Sequence, residues 1–221
     1  MQKIKVKICG ITNLDDALIA VEAGADYLGF IFYPPSKRSI DRSTCKQIVA
    51  QLRSRVDCPL LVGVFVNETA DHMVQILQEC ALDLAQLSGE EVPFLVADKR
   101  SPLYGRSYKA LRPSSLVEAE ADAEWYTAPQ QTPDQPTLLV DTYHATLRGG
   151  TGETGDWELS ANLALKIPGL MLAGGLTAEN VFAAVRQVRP FAVDTASGVE
   201  TYPGKKDHQL LHEFIRQAKA T

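Results

Sequence analysis

The chain has 221 residues, 45% of them hydrophobic and 22% charged, with a formal net charge of −5, the balance of a soluble globular protein without the basic excess that holds nucleic acid. No run approaches the ~18 apolar residues of a membrane span, and the N-terminus alternates polar and apolar residues instead of carrying the apolar core of a signal peptide. A cytoplasmic protein with no nucleic-acid or membrane partner is expected.

The elements follow in order. Residues 3–9 read as a strand, and Thr12-Asn13-Leu14-Asp15 caps a helix running to Gly24. The apolar run 25–32 suits a strand buried on both faces. The loop after it, Tyr33 to Ser39, carries two prolines and the cations Lys37 and Arg38, as a ligand lid would. A helix at 41–53, a strand at 60–66, a helix at 69–80 and a strand at 82–87 come next. Glu22-Ala23-Gly24-Ala25-Asp26 and Glu79-Cys80-Ala81-Leu82-Asp83 echo one another, as a repeated helix-to-strand passage would.

The middle predicts a helix at 90–98, a strand at 106–111 and a helix at 114–125 capped by Ser114. After a Pro- and Gln-rich connector at 129–136 come a strand at 137–141, a loop through Gly149-Gly150-Thr151-Gly152 and a helix at 157–165. The apolar run Leu170-Met171-Leu172-Ala173 ends in Gly174-Gly175, with Thr177 placed to cap the next helix. Without Cβ atoms such a turn lets a phosphate approach backbone N–H groups closely. A second candidate turn, Thr195-Ala196-Ser197-Gly198, follows a strand at 191–194, and a helix at 207–219 ends the pattern.

Eight strands alternating with helices predict a single (β/α)8 barrel over residues 1–221, closed by an eight-stranded parallel sheet. In such barrels the loops after strands seven and eight often build a phosphate site, and catalytic groups sit at C-terminal strand ends. Cys9 and Asp141 both close apolar strands. Taken singly each has a structural reading: Cys9 as a small packed hydrophobe, Asp141 as a loop hydrogen-bonder, Gly174-Gly175 as a tight turn and Arg38 as a solvated charge. Cys45, Cys58 and Cys80 read as buried packing residues, and the absence of a Cys-x-x-Cys pair points to neither a zinc cluster nor a disulfide framework. His208 and His212, four apart with no third ligand evident, read as a solvated helix face.

Six segments in register carry a family resemblance: Lys7-Ile8-Cys9-Gly10-Ile11-Thr12, residues 24–30, Val62-Gly63-Val64-Phe65, Gly149-Gly150-Thr151-Gly152, Leu172-Ala173-Gly174-Gly175-Leu176 and Ser197-Gly198-Val199-Glu200. Together they resemble the phosphoribosylanthranilate isomerases of tryptophan biosynthesis. The resemblance implies an Amadori rearrangement of N-(5-phosphoribosyl)anthranilate, a small phosphoribosyl substrate, without metal or organic cofactor, by a monomer or homodimer. It implies Cys9 as general base, Asp141 as general acid, Gly174, Gly175, Ser197 and Gly198 as the phosphate cup, and Arg38 facing the substrate carboxylate. Two positions depart from the family pattern: Ser88 stands where a His is common, and Ala196 removes a hydroxyl near the phosphate.

The chemistry agrees with these roles, since ring opening needs a proton delivered to the ring oxygen and carbonyl transfer needs one removed from the adjacent carbon. As base, Cys9 is expected to be brought below the ordinary thiol range by a helix N-terminus or by the iminium ion of the opened substrate. The alternatives are the sister isomerase of histidine biosynthesis, which looks to use an aspartate at the position of Cys9, a dual-substrate isomerase, and a non-catalytic phosphate-binding barrel.

Overall fold

The computed structural model describes residues 3–127, 132–141 and 157–220. Strands and helices alternate through β1 (Lys5–Cys9), α1 (Leu14–Glu22), β2 (Tyr27–Ile31), α2 (Arg42–Arg53), β3 (Leu60–Phe65), α3 (Ala70–Glu79), β4 (Leu84–Leu87), α4 (Phe94–Ala97), β5 (Ser107–Leu111) and α5 (Leu116–Tyr126). They continue through β6 (Leu138–Asp141), α6 (Trp157–Lys166), β7 (Leu170–Ala173), α7 (Val181–Val188), β8 (Ala192–Thr195), the pair β9 (Glu200–Tyr202) and β10 (Lys205–Lys206), and α8 (His208–Lys219). The first eight strands close an all-parallel barrel in chain order, β1 pairing with both β2 and β8. This is the predicted (β/α)8 fold. The Gly149-Gly150-Thr151-Gly152 motif and part of the 129–136 connector lie outside the described residues.

Helices begin where a short polar side chain takes up a free N–H: Asn13 for α1, Asp41 for α2, Thr69 for α3 and Asp207 for α8. Ser115, not Ser114, caps α5, because Glu118 stands three residues after it: Ser115 Oγ accepts from Glu118 N at 3.2 Å while the Glu118 carboxylate reaches back to Ser114 N at 2.8 Å. The helix expected at 90–98 shrinks to the single turn of α4, whose N-cap is Pro93 with no side-chain cap. Thr177 is not a cap either. Its N–H donates to Asn180 Oδ1 at 2.8 Å, and α7 begins only at Val181. The β9–β10 hairpin went unpredicted, since its strands are too short to show a period.

The echo between residues 22–26 and 79–83 has one structural cause. Each helix ends on a residue of positive φ, Gly24 at 91° and Ala81 at 52°. An aspartate then accepts a backbone N–H from the preceding strand, Asp26 from Val6 at 2.8 Å and Asp83 from Leu61 at 2.7 Å. In each passage a cation spans the turn: Lys219 bonds Gly24 O and Asp26, and Arg53 bonds Ala81 O and Asp83.

Alternation along the strands separates two packing layers. Val6 and Ile8 face the helices, whereas Tyr27, Val62, Leu84, Tyr108, Leu139, Met171, Ala173 and Ala192 fill the barrel. Outside it, a buried ion pair clamps the loops after β3 and β4. Lys109 Nζ meets Glu91 Oε2 at 2.7 Å and also bonds the Gly89 carbonyl, while Glu91 Oε1 accepts from Asn67 N at 2.8 Å. Removing one partner strands a buried charge, so Lys109→Met is expected to lower unfolding stability by about 3–5 kcal/mol. Denaturant titration checks this, and a loss below about 1 kcal/mol would show the pair to be solvated.

Candidate active site

Cys9 and Asp141 end strands that lie three places apart around the ring, through β7 and β8. Asp141 sits in register with Ala173 and shares the inward face of Leu139, and Cys9 shares that of Lys7. Both therefore turn into the C-terminal mouth, Cys9 buried and Asp141 part-exposed beside Arg112, whose Nε donates to it at 3.4 Å. Space for the thiol comes from Gly29 on β2, where a Cβ would lie 2.7 Å from Cys9 Sγ.

Burial pushes the Cys9 thiol above its ordinary range, Lys7 opposes that rise, and Asp194 adds to it. This corrects the expectation of a helix N-terminus that lowers it, because desolvation inside the barrel outweighs every cation present.

On β7 the turn passes through Gly174 at φ 103° and Gly175 at φ 66°, and the Asn180 amide braces it by donating to Gly175 O at 3.0 Å. The β8 turn interlocks with it. Thr195 Oγ1 donates to Leu176 O at 2.8 Å, and a Cβ added at Gly198 would overlap that carbonyl oxygen. Turn and side-chain hydrogen bonds among the described residues make no use of the N–H groups of Gly174, Gly175, Ser197 or Gly198. Ser197 opens a single 3₁₀ turn. The turns after β7 and β8 therefore lie in contact, next to the β6 end that carries Asp141.

Arg38 reaches the same mouth from the loop after β2. Its stem crosses Gly10, where a Cβ would lie 2.9 Å from Arg38 Cδ, and its guanidinium grips Glu200 through Nε at 2.9 Å and Nη2 at 2.7 Å. Glu200 also accepts from Lys206 Nζ at 3.0 Å, and the same Nζ donates to the carbonyls of Cys9 at 2.6 Å and Ala196 at 3.0 Å. One buried lysine ties the end of β1 to the β8 turn. Burial acts to raise the Glu200 carboxyl, but Arg38 and Lys206 outweigh it and hold it below its usual range, while the Glu200 contact holds Arg38 above its own.

The sequence marks Glu200 and Lys7 only by their place beside Ser197-Gly198 and Cys9, and gives no signal for Lys206, which reaches the site through the β9–β10 hairpin. Ser88 takes part in a polar chain, accepting from Gln86 Nε2 at 3.1 Å while Gln86 Oε1 accepts from Tyr108 Oη at 3.0 Å. His208 lies 2.9 Å from Asp16, and no group of three metal-ligating side chains occurs among the described residues. Cys45 and Cys80 are buried as expected, but Cys58 is half-exposed.

The family model described as N-(5'phosphoribosyl)anthranilate (PRA) isomerase matches residues 6–217. A relative named N-(5'-phosphoribosyl)anthranilate isomerase, from Pelobacter propionicus, is 45% identical over 219 residues, covering 99% of this chain and 97% of its own. The crystal structure of phosphoribosyl anthranilate isomerase from Thermotoga maritima superposes with a TM-score of 0.82 at 40% identity, over 99% of this chain and 100% of its own. A phosphoribosyl anthranilate isomerase in complex with reduced 1-(o-carboxyphenylamino)-1-deoxyribulose 5-phosphate superposes at 0.79 with 36% identity, over 99% and 100%.

Proposed function

The chain belongs to the N-(5'-phosphoribosyl)anthranilate isomerase family and is an aldose–ketose isomerase of tryptophan biosynthesis; we propose that Cys9 is its general base, Asp141 its general acid, the turns at Gly174-Gly175 and Ser197-Gly198 its phosphate cup, and Arg38 its contact to the substrate carboxylate. The observation that supports this most is the convergence of all four features on one barrel mouth. Phosphate in the cup places the ribose between Asp141 on β6 and Cys9 on β1. Asp141 gives a proton to the ring oxygen as the anilino nitrogen pushes the ring open. The resulting iminium ion acidifies the neighbouring sugar C–H, Cys9 removes that proton, and the enol tautomerises to the ketose.

A single barrel domain over residues 1–221, a cytoplasmic location and a monomeric or homodimeric state complete the proposal. For the last, a dimeric phosphoribosylanthranilate isomerase from Thermotoga maritima, solved as generated monomers, superposes with a TM-score of 0.80. No described helix is long and apolar enough to cross a membrane. The purified protein is expected to convert N-(5'-phosphoribosyl)anthranilate to its ketose isomer, and conversion of the aminoimidazole phosphoribosyl substrate alone would overturn the assignment.

Glu200 occupies Nε and Nη2 of Arg38 and so fixes the guanidinium plane, leaving its Nη1 edge outside that pair. A charge-assisted contact from there to a carboxylate contributes about 1.5–3 kcal/mol, so Arg38→Ala is expected to lower kcat/KM roughly tenfold to a hundredfold. Steady-state kinetics with a substrate lacking the carboxylate should show little further loss in this variant. Equal losses for both substrates would move the contact elsewhere.

A further inference from the structure

Lys7 has no exposed surface, and its Nζ donates to Asp194 Oδ1 at 2.9 Å across the β1–β8 seam. Residues Lys7 and Cys9 leave the same face of β1 and border one shared space: a Cβ at Gly29 would lie 2.7 Å from Cys9 Sγ and 3.2 Å from Lys7 Cε. A buried lysine–aspartate pair is a poor structural filler, because desolvating both ions commonly costs more than their attraction returns, and apolar residues of equal volume often serve stability as well or better. Its position, two residues before the reactive thiol on the same strand face, gives it another use.

Resting on the reading of Cys9 as base, we propose that Lys7 is a positioning residue for the isomerisation: its ammonium, fixed by Asp194, is the counter-cation that favours the thiolate form of Cys9. It transfers no proton and touches no substrate. The charged and titratable groups around the thiol are Lys7 on its own strand, Asp194 on β8, Tyr108 on β5, Lys206 on β10 and Arg38 in the loop after β2. Arg38 is engaged with Glu200, and Lys206 with three oxygen atoms, among them the Cys9 carbonyl. Lys7 is the larger of the two lysine influences acting against desolvation of the thiolate, ahead of Lys206, while Asp194 acts with desolvation.

The test measures alkylation of Cys9 by iodoacetamide across a pH series, with the label located by mass spectrometry, in Lys7→Met and in the double variant Lys7→Met/Asp194→Asn. The double variant leaves no unpaired buried charge and so guards against a fold lost for that reason. Below the thiol midpoint, rate follows thiolate fraction, and an adjacent opposite charge moves a midpoint by about one pH unit or more. Alkylation is therefore expected to slow roughly tenfold in Lys7→Met at a fixed pH, and by a smaller factor in the double variant, where the opposing Asp194 charge is also gone. In both, kcat should fall while KM stays near its original value. A barrel merely loosened by these changes would expose Cys9 and speed alkylation, so the sign separates the two explanations. An unchanged or faster rate in the double variant overturns the proposal. Failure of the underlying reading is distinct: turnover retained in Cys9→Ser would remove Cys9 as base without altering the alkylation result.

Discussion

Cys9→Ser and Asp141→Asn will each bind a product analogue almost normally while kcat falls by at least about 10²-fold, the lower end of what a positioned acid or base contributes. The geometry makes both losses ones of chemistry and not of shape. Cys9 sits in a slot left open by Gly29, and a serine, slightly smaller, enters it without contact strain. What it cannot supply is an accessible anion, since a hydroxyl in the same buried position is far harder to ionise. Asn at position 141 can still accept from Arg112 but has no transferable proton. Reduced 1-(o-carboxyphenylamino)-1-deoxyribulose 5-phosphate, the molecule held by the related isomerase, is the binding probe.

The two roles separate by isotope effect. With substrate deuterated at C2, the carbon from which the base takes its proton, the primary isotope effect on kcat is expected to rise in Cys9→Ser, where proton removal limits turnover, and to be suppressed in Asp141→Asn, where ring opening limits it. The reverse pattern would exchange the assignments of acid and base.

Why some of this was legible in the chain and some not follows from distance along it. The strands ending at Cys9, Asp141 and Gly174 each announce themselves within a few residues, by an apolar run that stops at a chemically distinct group. The lid likewise reads locally, from its two prolines and Arg38. The partners of these groups do not: Arg38 meets Glu200 across 162 residues and Lys7 meets Asp194 across 187, where the barrel closes on itself. No local pattern encodes a closure of that span.

Lys7 shows a further obstacle. An alternating strand ordinarily turns its polar residues to water, but β1 has helices on its apolar side and the barrel lumen on the other, so alternation there places a lysine inside. The helix boundaries failed for a smaller reason. Ser114 and Ser115 are adjacent candidates separated only by which stands three residues before Glu118, and at Thr177 the turn is held by Asn180, so the helix waits until Val181.

The phosphate cup yields the other large effect. Gly198→Ala will raise the dissociation constant for the phosphorylated product analogue by about 10²-fold or more, although it adds one methyl group. That methyl would fall on the Leu176 carbonyl oxygen and 2.8 Å from Thr195 Oγ1, whereas an ordinary carbon–oxygen contact is about 3.3 Å or longer. Backbone and hydroxyl cannot both yield without breaking the Thr195-to-Leu176 hydrogen bond that joins the two turns. The β7 and β8 loops must separate, which opens the cup proposed at Gly174, Gly175, Ser197 and Gly198. Hydrogen bonds from backbone N–H to a charged phosphate contribute about 1.5–3 kcal/mol each, so misplacing two of them costs about 3–6 kcal/mol, which corresponds to ~10²–10⁴ in affinity. Gly105→Ala is the control, since Gly105 has φ 75° but nothing within 4 Å of an added Cβ and precedes β5 at the opposite face of the barrel. It carries backbone strain without touching the cup, and should lower stability modestly while leaving affinity unchanged. Calorimetric titration of the analogue into both variants, with thermal unfolding measured alongside, distinguishes the two effects, and unaltered binding in a folded Gly198→Ala would place the phosphate elsewhere.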